Sequence, residues 1–298
     1  MTVIDQAEKL RDMVKQKNMT ENPVELPPDL TARIIAVTSG KGGVGKSNIT
    51  LNLAIAFAKQ EKRVVILDAD FGLANIEVLF GIVPKYNLGH VFAGERSIDE
   101  IITEGPLGVK LVSGGSGIRE LANFDDRRMS VVIEKLAYLD TISDIILIDT
   151  GAGISDTVIN FIRASGETII ITTPEPTSLT DAYAVVKTVH GDDGPKPAFK
   201  VLVNRAESDA EAEEVFGKIS KVSKHFLGIE LEDIGYVPYD INVLKAVKKQ
   251  EPVMLSFPES EAAKSIEKVV LKLLEIKTEE PDSGIKVFLK RLAGFFRK

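Results

Sequence analysis

The segment Gly40-Lys41-Gly42-Gly43-Val44-Gly45-Lys46-Ser47 has the spacing G-x-x-x-x-G-K-[ST], a pattern suited to holding a polyphosphate. Its glycines let the backbone wrap closely, so that main-chain amides and the following helix N-terminus face the anion. Lys46 adds a full positive charge and Ser47 offers a hydroxyl to magnesium. Asn48 follows on the opening helical turn as a further nucleotide contact. Three carboxylates close apolar runs elsewhere: Asp68 and Asp70 after Val64-Val65-Ile66-Leu67, and Asp149 after Ile145-Ile146-Leu147-Ile148. The C-terminal ends of strands are where doubly wound sheets bind ligands. One such aspartate could merely cap the next turn, but three of them beside one phosphate loop point to magnesium and water. The loop also carries a second lysine, Lys41, near its beginning.

Positioning these groups requires strands that end at the loop and helices that leave it. The run Ile34-Ile35-Ala36-Val37 leads into the glycine cluster, and a helical pattern follows from Lys46 to Lys59. Further strands are expected at Val64–Leu67, Val109–Val112, Ile145–Ile148, Thr168–Ile171, Phe199–Val203 and Ile234–Val237. Most are short β-branched runs without alternation, separated by helical stretches, with a last packing helix over Ser260–Ile276. The expected fold is α/β: a doubly wound, mostly parallel sheet of about seven or eight strands with helices on both faces.

Composition narrows the chemistry. The 298 residues include no cysteine, which excludes disulfides, thiolate nucleophiles and cysteine-ligated metal. His90, His190 and His225 share no metal-ligand spacing. Neither a leader pattern nor an apolar run able to span a bilayer is seen, so a cytoplasmic protein is expected. The net charge of −7 argues against a nucleic-acid-coating surface, and no nucleic-acid partner is expected. The last fourteen residues nevertheless carry Lys286, Lys290, Arg291, Arg297 and Lys298 without an acid.

The sequence K-G-G-V-G-K-S with its early lysine, the Asp68-Ala69-Asp70 run, the Walker B strand ending at Asp149 and Gly151-Ala152-Gly153 together resemble the deviant Walker A ATPases, the MinD/ParA family. The resemblance implies a MinD-like P-loop fold over residues 31–277, with ATP or ADP and Mg2+ as cofactors. It implies that Lys41 reaches across a homodimer to the partner's phosphates and that Asp70 positions the attacking water. By the same resemblance Ser47, Asp68 and Asp149 serve magnesium, and the Gly153 amide senses the γ-phosphate. Where the family usually has proline, this chain has Gly151. Base recognition is expected from Asn204 and Arg205 after one strand and from Pro238 to Asp240 after another.

Both ends add to this. Residues 1–17 form an expected helix, with a tether over 18–30 containing Pro23, Pro27 and Pro28. Asp5, Gln6, Ala7, Leu10 and Arg11 spell D-Q-A-x-x-L-R, which resembles the activator helix of the FlhG (YlxH/FleN) flagellar group. That implies docking on an FlhF-type GTPase, with Gln6 in the partner's catalytic site, and contact with flagellar basal-body (C-ring) proteins. After a second tether, 278–284, residues 285–298 place Ile285, Phe288, Leu289, Leu292, Phe295 and Phe296 on one arc of a helix, opposite the basic residues. The pattern matches an interfacial membrane helix, and the alternative is a last helix docked on the core. The expected function is an ATP-dependent, dimerising, membrane-associating ATPase that sets flagellar number or placement. A MinD-type division-site regulator and a ParA-like positioner of DNA or cargo remain the alternatives.

Overall fold

The computed structural model describes residues 32–70, 75–115, 126–191, 196–275 and 284–296. Residues 31–298 form one compact unit, and the expected activator helix and tether of residues 1–30 lie outside the described residues. An eight-stranded sheet runs through the unit in the order β3-β4-β2-β5-β1-β6-β7-β8. The strands are β1 Arg33–Ser39, β2 Val64–Ala69, β3 Ile102–Glu104, β4 Lys110–Ser113, β5 Ile145–Ala152, β6 Glu167–Thr172, β7 Ala198–Ala206 and β8 Glu232–Pro238. All neighbours pair parallel except β3 and β4, which pair antiparallel at the edge. The strands of the expected set are all present. β3, at three residues, is too short for a pattern to reveal it.

The non-alternating sequences of these strands follow from burial on both faces. Ile35, Val37, Ile66, Leu147 and Ile169 face one apolar layer, while Ile34, Val65, Leu67, Ile146 and Ile148 face the other. The first layer is covered by α1 (Lys46–Lys59), which buries Leu51, Leu53, Ile55 and Phe57, and its cluster also holds Ala262, Ile266, Val269 and Leu273 of a C-terminal helix. The shorter helices α2 (Asn75–Phe80), α3 (Leu88–Phe92) and α4 (Ile98–Ile101) lie between β2 and β3. α5 (Asp126–Leu136), α6 (Tyr138–Ile142) and α7 (Asp156–Ala164) flank β5 in the chain. α8 (Pro176–His190) and α9 (Asp209–Leu227) cover β6 and β7, and α10 (Ile241–Lys249), α11 (Val253–Ser256) and α12 (Glu261–Glu275) follow β8.

The last element, α13 (Ile285–Phe296), forms where a helix was expected, but its apolar arc does not face outward here. Ile285, Phe288, Leu289 and Leu292 are buried, each at most 3% exposed, in the same cluster as Met129, Val132 and Phe161 of α5 and α7. The Phe288 and Phe161 rings lie 5.8 Å apart, a separation at which aromatic pairs attract. Phe295 is half-buried with the Arg163 guanidinium 5.9 Å from its ring; the side chain of Phe296 and residues 276–283 lie outside the described residues. The arrangement is the docked alternative, and the tail packs within the 31–298 unit rather than apart from it. Exposed Lys286 and Lys290 face water.

Candidate nucleotide site

β1 ends at Ser39 and α1 begins at Lys46, so the glycine-rich loop bridges the C-terminal edge of the central strand and a helix N-terminus. Two glycines are demanded by geometry. A Cβ on Gly40 would lie 2.2 Å from the backbone of Asp181 in α8, and one on Gly45, at φ +94°, would lie 2.5 Å from Asn204 Nδ2. Gly42 and Gly43 lie on the open stretch of the loop, while Val44 is buried in the core. Asn48 has its carbonyl and its side-chain oxygen engaged by Asn52 Nδ2.

The loop's two lysines have different surroundings. Lys46 is buried, 7% exposed, and its ammonium is 3.0 Å from Asp149 Oδ2. Asp149, wholly buried at the middle of β5, also accepts hydrogen bonds of 2.7 Å from both Ser47 Oγ and Thr50 Oγ1. Lys41 points elsewhere: Nζ lies 3.0 Å from Glu175 Oε2 and donates to Thr177 Oγ1 at the start of α8. Its side chain is 41% exposed.

Asp68 stands opposite Asp149 in the parallel β2–β5 register and is 4% exposed. Burial raises its carboxyl from an ordinary 3.8 to about 7; the nearby Asp149 and Asp70 charges push the same way, against the Asp70 amide and Lys46. Asp68 Oδ1 accepts that amide at 3.0 Å. The half-buried Asp70 has its carboxylate turned toward the β5 end, 3.9 Å from where a Cβ on Gly151 would be.

These residues fit magnesium. The donors are hard oxygens, and the proton-retaining Asp68 beside Asp149 is a site short of positive charge. Among the described residues no three His, Asp or Glu side chains gather into a metal cage.

Three expected contacts are otherwise engaged. The Gly153 amide, at φ +94°, donates to the Ser39 carbonyl at 2.8 Å, so it must change partner before it can meet a phosphate. Asn204 donates from Nδ2 to Val44 O at 2.7 Å and accepts from the Arg205 amide, so it braces the phosphate loop. Asp240 caps α10 through the Asn242 amide and accepts the Ala262 amide from α12. Arg205 is exposed with φ +61°, and Pro238 closes β8. The sequence reading missed Thr50, Glu175 and Thr177. Thr50 falls one turn after Lys46 on the same helix face, a spacing that could have drawn attention to it; nothing local marks the other two.

The family described as the ParA family (NUBPL iron-transfer P-loop NTPase) matches residues 31–274. The chain is 41% identical over 241 residues to the antiactivator FleN of Pseudomonas aeruginosa, covering 81% of this chain and 86% of that one. It is 34% identical over 269 residues to the flagellum site-determining protein YlxH of Helicobacter pylori, covering 88% and 90%. Among solved structures it resembles the septum site-determining protein MinD complexed with Mg-ADP from Pyrococcus horikoshii, at a TM-score of 0.64 and 25% identity, covering 84% and 100%.

Proposed function

Because the chain belongs to the MinD/ParA family of P-loop ATPases, in the branch of the FleN and YlxH flagellar proteins, we propose that it is a dimerising ATP switch that sets flagellar number or placement. The observation that carries this reading is the divergence of the loop's two lysines. Lys46 is buried against Asp149 of β5 in its own subunit, whereas Lys41 is solvent-reachable and held by the exposed Glu175 and Thr177 at the start of α8. A cation placed outside its own phosphate cradle is suited to a second copy's triphosphate.

In this reading Lys46 exchanges Asp149 for the β- and γ-phosphates, and the loop amides and the start of α1 meet the remaining charge. Ser47, Asp149 and Asp68 would hold magnesium and its waters, and the ion would supply neutralisation of the charge developing on the phosphate oxygens. Asp70 orients the attacking water from the end of β2, and Lys41 of each subunit completes the other's site. Charge on the transferring group is then met by two cations only in the dimer, which keeps the monomer slow. The Gly153 amide, in leaving Ser39 O, couples nucleotide state to the end of β5. Adenine contacts come from Arg205 and Pro238, with Asn204 and Asp240 shaping the loops around them.

Membrane residence requires α13 to leave the core, since its apolar arc is covered in the docked state. A single released tail binds marginally; two in one dimer raise the effective concentration by ~10²-fold or more. Lys286 and Lys290 then favour anionic lipid by about 1 kcal/mol each. Asp5, Gln6, Ala7, Leu10 and Arg11 supply the activator contact to an FlhF-type GTPase, and basal-body C-ring proteins are the assembly target. The chemistry that Gln6 offers is that of a side-chain amide orienting a water without titrating.

Light scattering with ADP and with ATP tests the switch. Asp70→Ala loaded with ATP should double in mass and float with anionic liposomes. A variant that binds ATP yet stays monomeric at every accessible concentration removes the trans role of Lys41.

A further inference from the structure

The carboxylate of Asp140, on α6, lies in the interior at 6% exposure. It accepts the backbone amide of Ile285, the first residue of α13, at 2.9 Å through Oδ1 and 3.1 Å through Oδ2. Oδ1 also accepts the amide of Ala32, the residue through which the chain enters β1, at 3.3 Å. The α13 N-terminus is thus capped by a distant core residue. Gly284, at φ +100°, makes the turn that presents Ile285 to it.

The two ends share more than this acceptor. Ala32, 1% exposed, belongs to the apolar cluster that contains Ile285, Phe288, Leu289 and Leu292. Next to it, Arg33 donates from Nη1 to Leu273 O near the end of α12. The entry of the chain into its core and the start of the tail helix therefore meet at one carboxylate, while Arg33 ties the same entry to α12, whose Leu273 packs in the other apolar layer. Burial holds the Asp140 carboxyl above its usual range, opposed by the Ile285 and Ala32 amides, so this group is retained in a place that disfavours its charge.

We propose that Asp140 is a clasp that makes release of α13 and loosening of the chain's entry at Ala32 one coupled event. When α13 departs, the carboxylate is hydrated, Ala32 loses its cover from the tail and its amide becomes exchangeable. Conversely, a partner that draws on the segment preceding Ala32 weakens the cap on α13. Coupling of this kind is reciprocal by thermodynamic necessity. A partner of the N-terminal segment would thereby promote membrane contact by the C-terminal one. The inference rests on the reading that α13 leaves the core, and its test measures that departure without lipid, so failure to bind membrane is scored separately.

The chain has no cysteine, so Ala293→Cys in the full-length protein provides a single thiol at a buried position on the docked face of α13. Its maleimide labelling rate reports undocking. Asp140→Asn should raise that rate roughly tenfold, the loss expected for hydrogen bonds to a charged acceptor. Ala32→Pro, which removes the second donor while also fixing φ and adding a ring at a buried position, should raise it by roughly threefold or more. In the opposite direction, Leu292→Glu, which expels α13, should speed hydrogen exchange at residues 32–34 by roughly tenfold in a chain that still binds nucleotide. Faster labelling with Asp140→Asn but wild-type labelling with Ala32→Pro, or unchanged exchange with Leu292→Glu, would overturn the coupling. Unchanged labelling in both variants would overturn the clasp itself.

Discussion

Replacing Glu175 by glutamine removes the charge that holds Lys41 while keeping the side chain's size. Both members of that pair are well solvated, at 41% and 56% exposure, so the pair contributes about 0.2–1 kcal/mol. A dimer in which each subunit lends its Lys41 must break the pair twice. The variant should therefore favour the ATP dimer by roughly 0.4–2 kcal/mol, a two- to thirtyfold lower dissociation constant. The fold itself should lose no more than about 0.5 kcal/mol, since surface changes of this kind rarely cost more. The assay is light scattering against protein concentration with saturating ATP and magnesium, in an Asp70→Ala background so that hydrolysis does not erase the dimer. The difference should shrink as salt is raised, because the competing pair is screened. Equal dissociation constants with and without the Glu175 charge at low salt would refute the reasoning that Lys41 is restrained by α8 and released for a partner.

Three other perturbations test separate parts of the structure. Phe161→Ala removes the aromatic face under Phe288 without altering the tail; at about 3–5 kcal/mol of lost packing, the ADP-loaded protein should begin to float with anionic liposomes, and a variant that stays in the soluble fraction would argue against docking as the restraint. Burial keeps Asp68 protonated up to about 7 when folded, against 3.8 when unfolded. The folded state thus binds more protons across that window, and the Asp68 contribution to nucleotide-free stability should fall by about 3 kcal/mol as pH rises from 4 to 7; urea titrations should show it as a difference in pH slope between the protein and Asp68→Asn. Gly40→Ala would drive a Cβ to within 2.2 Å of the Asp181 carbonyl, so melting should shift downward by the equivalent of about 1–3 kcal/mol with loss of fluorescent-nucleotide binding, and an unshifted melt would show that the loop yields without cost.

Much of this protein was legible in local sequence because its functional chemistry is local. The phosphate loop encodes its own conformation through glycines, and the apolar runs leading to Asp68 and Asp149 could only be strands buried on two faces. Asp68 and Asp149 fall side by side because the two parallel strands pair in register. What the sequence could not decide were choices between partners far apart in the chain. Glu175 and Thr177 claim Lys41 across more than a hundred residues, and Thr50 joins Asp149 only once α1 lies over β5. Asn204 and Asp240 read as base contacts because loop polarity is ambiguous, while packing uses them to brace the loop and cap α10. The tail is the clearest case. An apolar arc opposite lysines satisfies the hydrophobic effect equally against lipid or against protein, and only the tertiary fold, with a groove lined by Met129, Val132 and Phe161 and a cap at Asp140, determined that it is covered here.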